Sequence, residues 1–188
     1  MTKISVHLAT LAFSSAICTI LSIISVQLVP VLTLPGASGL FLAAGFYVPF
    51  GLWFGLWGCL AAGISGFLLV LTGTPITLAA FFFVADFLEA LIPLIAFRTL
   101  KLDANLRDVR SLIGYTIFGI FFGSVTSSLI GPAGVIITAG LHPSVYWPTF
   151  VPWLIGDMIV IAVVGVPLLI AISPVIKKTS GYIKGYLQ

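Results

Sequence analysis

Three carboxyl side chains, Asp86, Glu89 and Asp157, stand inside long, nearly unbroken apolar runs, and this constrains the chain more than any other feature. Each ionised acid at the centre of a membrane helix costs roughly 2.5–3.5 kcal/mol on insertion scales, so three of them require a shared interior that is polar, hydrated or filled by a ligand. The runs are apolar on every side and roughly 17–25 residues long, as membrane-crossing helices are; strands of a membrane barrel would be shorter and would alternate. Composition agrees: 60% of the 188 residues are hydrophobic, 7% are charged and the mean hydropathy is +1.26. Such values exclude an ordinary soluble domain.

The pattern predicts an all-α membrane protein, one integral domain over 1–188, built as a bundle of six transmembrane helices near 4–28, 38–54, 56–72, 76–97, 112–131 and 151–172. The connector "PVLTLPGAS" should turn the chain after the first helix, and the break between the second and third is expected near "WFGLWG". The glycines and proline of "GPAG" are expected to kink or end the fifth helix, and "TAGLHPSVYWPTF" reads as a loop. The first run follows Lys3, exceeds a signal-peptide core in length and is expected to be retained.

Charge sets the orientation. The eight basic residues fall at Lys3, in the connector holding Arg98, Lys101, Arg107 and Arg110, and in the segment holding Lys177, Lys178 and Lys184. Six crossings put all three places on one side, and the excess of Lys and Arg makes that side the cytoplasm, with both termini inside. The net charge of +3 is thereby a matter of topology and attraction to anionic lipid, with no nucleic acid as partner.

Asp103 and Asp108 share a connector with Arg107 and Arg110 and are expected to pair with them at the surface. Asp86 and Glu89, three residues apart, share a helical face near mid-membrane; Asp157, about two turns into the last helix, is expected in the outer part of the bilayer. No Lys or Arg lies within the spans, so the partners of the acids must be protons, hydroxyls, amides, water, or a solute that is cationic or rich in donors. Tyr146, Trp147 and Trp153 lie toward the outer side, either as interfacial anchors or as stacking surfaces for a flat solute; Trp53 and Trp57 are read as anchors of the inner turn.

Small residues at four-residue spacing, such as Gly51 and Gly55, then Ala62 and Gly66, allow close helix packing. Ala12 and Ala16 do the same on the first helix, and if their face points outward they form a flat docking surface. Cys18, Cys59, His7 and His142 are isolated, so no metal site is spelled out and no cofactor is implied. No nucleophile stands with a base in a recognisable pattern, so no catalytic residues and no enzyme activity are expected. Without a nucleotide-binding glycine loop, energy or signalling must come from a partner.

Six spans, termini inside, and "AFSSA" with Ala12 and Ala16 on the first helix resemble the substrate-binding S component of energy-coupling factor (ECF) vitamin transporters. The resemblance implies uptake of a small vitamin-like solute through a membrane coupling subunit and an ATPase pair, docked through Ala12 and Ala16. It also implies solute contacts near the outer face, here Asp157, Trp153, Trp147 and Tyr146, with Asp86 and Glu89 as deeper polar positions. The order of "LPGASGLFLAAGFYVPFGLWFG", "FLEALIPLIAFRTLKLDANLRDVRSL" and "WLIGDMIVIAVVGVPLL" is similar to MASE-type membrane sensor domains, which implies a partner kinase or cyclase instead. A lone proton-coupled carrier relaying through Asp86 and Glu89 is the third expectation.

Overall fold

The computed structural model describes residues 3–28 and 39–187. Among these residues there are helices and no strands. The helices are α1 (Lys3–Leu28), α2 (Ala44–Phe54), α3 (Leu56–Thr72, its last turn tightened), α4 (Ile76–Thr99), α5 (Val109–Ala139) and α6 (Pro143–Ile176). Four of the six, α1, α4, α5 and α6, are long and apolar enough to cross a membrane. The connector containing Pro30, Pro35 and Gly36 lies outside the described residues.

The expected break after "WF" falls at Gly55, whose φ of +60° belongs to the left-handed region that favours glycine. A side chain there would also run into the carbonyl of Tyr186. The break leaves α2 with 11 residues, about 16 Å of helix, which is roughly half a bilayer core. The expectation of two full-length spans over 38–54 and 56–72 is thus met by one short helix and one of intermediate length.

Two other boundaries differ from the sequence reading. The "GPAG" segment does not end α5, which continues to Ala139. Its small residues serve packing: Gly131 receives the ring of Trp153 and Gly134 the ring of Phe81. The expected loop before the last helix is largely helical from Pro143 onward, since prolines in or near a first turn supply a helical φ where no N–H bond is required. As a result Tyr146 and Trp147 sit on α6 rather than in a loop.

Helix α4 is central, packed by α2 and α3 on one side and by α5 on the other. The outward faces are apolar, with Leu8, Phe13 and Ile20 exposed on α1, while the inward face of α1 carries Ser14, Ser15, Cys18, Thr19, Ser22 and Ser25. This polar-in arrangement suits a chain surrounded by hydrocarbon; Ser22 and Ser25 donate to the carbonyls of Cys18 (2.8 Å) and Leu21 (2.7 Å) one turn back in the same helix. Within α5 and α6 the backbone widens to π-helical turns over Tyr115–Gly123 and Ile161–Gly165, and the Tyr115 hydroxyl donates to the Ile161 carbonyl (3.3 Å), joining the two widened segments.

One end of the bundle gathers the start of α1, the α2–α3 break, the α4–α5 connector and the segment after α6. Arg98 donates to the carbonyls of Leu52 (2.9 Å), Ile183 (2.7 Å) and Gly185 (2.9 Å), and the Leu56 N–H donates to Tyr186 (2.8 Å). Thr10 of α1 closes on Gly181. The surface pairs differ from those expected: Asp103 pairs with Lys177, Asp108 caps α5 by accepting from the Ser111 N–H (2.8 Å), and Arg110 turns to the Leu100 carbonyl. Trp53 is buried, its indole donating to Ser173 (2.8 Å), and Trp57 stacks on His7; neither is a simple surface anchor.

Candidate functional site

The three acids of the apolar helices belong to one interior region. Glu89 is 13 residues from the start of α4 and Asp157 is 14 from the start of α6; with a helical rise of about 1.5 Å per residue, both lie roughly 20 Å from the same end of the bundle. Asp157 is therefore level with Glu89, deeper than the two turns expected, because α6 begins eight residues before the predicted start at 151. All three side chains are buried: Asp86 is 4% exposed, Asp157 2% and Glu89 0%.

Each acid meets a different neighbour. Asp86 faces α2 and α3, where the Tyr47 hydroxyl donates to its Oδ2 (3.0 Å) and exchanges bonds with Ser65 (2.9 Å) and Ser22 of α1 (3.3 Å). Gly66 leaves the space that the Asp86 carboxyl occupies, since a methyl group there would overlap Oδ2. Asp157 accepts from Ser127 of α5 (3.3 Å). Glu89 faces α5 beside Gly123 and Ser127; the Ser127 hydroxyl is given to Asp157, and both carboxyl oxygens of Glu89 are buried with no partner at hydrogen-bond geometry. The buried hydroxyls of Ser124 and Ser128, on the α5 face that carries Ser127, are also unpartnered. Unsatisfied buried polar groups are uncommon and mark a place where water, an ion or a ligand completes the bonding.

An aromatic layer covers the acids toward the opposite end from the basic connector. Phe82 precedes Asp86 by one turn and Trp153 precedes Asp157 by one turn; their rings meet at 5.9 Å between centroids. Leu69, Leu78 and Val135 pack with them into a small apolar cluster, while the larger core lies on the other side of the acids around Tyr47, Tyr115 and Leu94. The carboxyls thus occupy a polar layer between two apolar ones.

Tyr146 and Trp147 are separate from this layer. Trp147 is 64% exposed near the start of α6, and the Tyr146 hydroxyl donates to the Leu129 carbonyl (3.1 Å) with its ring against Trp147 and Phe150. Ten residues of helix, about 15 Å, lie between Trp147 and Asp157. Ala12 and Ala16 are exposed on the outward face of α1, opposite its serine-rich face. Among the described residues no group of His, Cys, Asp and Glu is close enough to hold a metal ion.

No known protein family, curated protein or solved structure matches this chain. The chemistry of the site therefore carries the functional reading. The residues that sequence reasoning left unnamed are the hydroxyl partners Tyr47, Ser22, Ser65 and Ser127, and the orphans Ser124 and Ser128. Their signal was present as serines recurring every three or four residues within apolar helices.

Proposed function

We propose that this chain is a multi-pass protein of the cell membrane that binds a small cationic or donor-rich solute at the Asp86, Glu89 and Asp157 layer, and that it acts as the substrate-binding subunit of an ECF-type transporter. The observation that carries this reading is Glu89, wholly buried, with two acceptor oxygens unpartnered and two further acids as neighbours. A purely structural acid would be held by internal donors, as Asp86 is by Tyr47. A solute bringing positive charge or N–H groups supplies what Glu89 lacks.

The outward position of Ala12 and Ala16 supports docking of a coupling subunit on α1, where small residues let a partner helix approach closely. An ATPase pair attached to that subunit would drive exposure of the site from one side to the other around a fixed centre, with Tyr146 and Trp147 at the rim through which solute arrives. In this reading the end that carries Arg98, the connector and the Lys177 segment faces the cytoplasm, as the basic residues favour.

Coexpression with an ECF coupling subunit and its ATPases, followed by pull-down and native mass spectrometry, tests the proposal. The complex should form, should retain a small amine-bearing molecule, and should be lost in Ala12→Leu and Ala16→Leu while the free protein stays monodisperse. Copurification of a kinase or cyclase with no uptake would establish the sensor reading instead. ATP-independent uptake that follows a pH gradient would establish the lone carrier.

A further inference from the structure

The donors around the three acids are shared unevenly, and the unevenness points to what enters. Asp86 has the Tyr47 hydroxyl and Asp157 has the Ser127 hydroxyl, while both Glu89 oxygens and the hydroxyls of Ser124 and Ser128 are left over on the facing sides of α4 and α5. The titratable groups turned toward this region are Asp86 on the same helix, Asp157 on α6, Tyr115 on α5, Tyr47 on α2 and Cys18 on α1. None of them is cationic. Arg98 is committed to three backbone carbonyls at the basic end of the bundle, and His7 is stacked on Trp57.

We infer that Glu89 is a proton-exchange site, which takes an ammonium group of the solute and releases one proton for each positive charge that enters. This rests on the solute-binding reading above and specifies its substrate class. A carboxylate at Glu89 needs a cation beside it, because an unpaired charge in an enclosed interior is costly. When an ammonium ion arrives, the O–H bond of Glu89 breaks, the proton leaves to water, and the carboxylate pairs with the ammonium. The net charge of the site is the same before and after. The Ser124 and Ser128 hydroxyls accept the remaining N–H bonds, so the ligand is a primary or secondary ammonium; a quaternary ion has no N–H to give them.

A hydrophobic carbodiimide reads this directly, because it adds to a protonated carboxyl in an apolar interior and leaves a stable mass tag. The purified full-length protein is treated with dicyclohexylcarbodiimide and the tag is located by peptide mass spectrometry, with methylammonium or tetramethylammonium present as probe. The tag should fall on Glu89, with Asp86 and Asp157 reacting about tenfold less because a hydroxyl already holds each of them. Labelling should decline as pH rises, should be suppressed by methylammonium and should be unaffected by tetramethylammonium. Adding methylammonium to weakly buffered protein should release protons, and Glu89→Gln should abolish that release.

Equal labelling of the three acids, no tag on Glu89, or no protection by methylammonium overturns the exchange. The wild-type mapping stands by itself should Glu89→Gln fail to fold. Recovery of a neutral, donor-rich solute from the transporter complex would sink the exchange and leave the transport reading intact. Protected labelling of Glu89 in a protein that assembles with no ATPase would do the reverse.

Discussion

The Tyr47 hydroxyl sits 3.0 Å from a carboxyl oxygen of Asp86, across the interior from α2 to α4, and it is the only side-chain hydroxyl among the described residues bonded to that acid. Removing it in Tyr47→Phe leaves Asp86 enclosed without its donor and breaks the links to Ser65 and Ser22 as well. The loss should be about 1–3 kcal/mol of unfolding free energy. Asp86→Asn alone should be milder, and the double variant should lose less than the sum, with a coupling of about 1 kcal/mol or more. Unfolding in detergent micelles measures all three; strict additivity would show that the bond contributes nothing.

Gly66 makes a steric prediction about the same acid. A methyl group at this position meets Asp86 Oδ2 and the backbone of Phe82, which α4 cannot move without losing its own hydrogen bonds. Gly66→Ala should therefore destabilise the protein by about 1–3 kcal/mol and impair any binding at the acid layer. Gly73→Ala serves as the comparison: it has open space but a φ of +89°, so it should lose about 1 kcal/mol through backbone strain and leave binding unchanged. Equal binding in the two variants would disconnect Gly66 from the site.

Much of this arrangement was readable from the sequence, and the remainder was hidden for identifiable reasons. The apolar runs announced helices, "WFGLWG" announced the turn at Gly55, and the absence of Lys and Arg from the spans left neutral partners for the acids, as the hydroxyls on Asp86 and Asp157 are. The depth of Asp157 was hidden because His142, Pro143, Pro148 and Pro152 give the beginning of α6 the composition of a loop. The partners were hidden because Tyr47, Ser65 and Ser127 come from three different helices, and their meeting depends on packing that hydropathy alone does not order. The inward serines of α1 are legible in the sequence: an outward apolar face opposite a hydroxyl-rich one inverts the pattern of a soluble helix.

Arg98 should act as the clasp of the basic end. Its guanidinium donates to Leu52 at the last turn of α2 and to Ile183 and Gly185, so one planar group ties the short helix to the chain that follows α6. Arg98→Ala leaves those carbonyls without their donor, at about 2 kcal/mol or more for the set. Limited proteolysis of the segment after Lys178 should become several-fold faster. Arg98→Lys should restore only part of the protection, because an ammonium cannot reproduce the forked donor geometry. Full protection in the lysine variant would mean that charge alone suffices.

The same segment should respond to acid through Asp103. Partial burial pushes this carboxyl up, but the hydrogen bond from Lys177, those from Asn105 and the Lys177 charge outweigh it and hold Asp103 below the ordinary carboxylate value. A depressed folded value means that the ionised form belongs to the folded state, so the contribution is complete above the ordinary value near pH 4 and fades as pH falls through the lower folded one. Because the pair is solvent-exposed and screened by salt, its size is about 0.2–1 kcal/mol. Hydrogen exchange of the Lys177–Tyr186 backbone should accordingly quicken below about pH 4 relative to the intrinsic rate. Asp103→Asn should show the quicker exchange already at neutral pH with no further acid step, and high salt should reproduce part of that effect in the wild type. An acid step that persists in Asp103→Asn would assign the sensitivity to another group of the connector, such as Asp108, which hydrogen bonding from Ser111 also holds below its ordinary value.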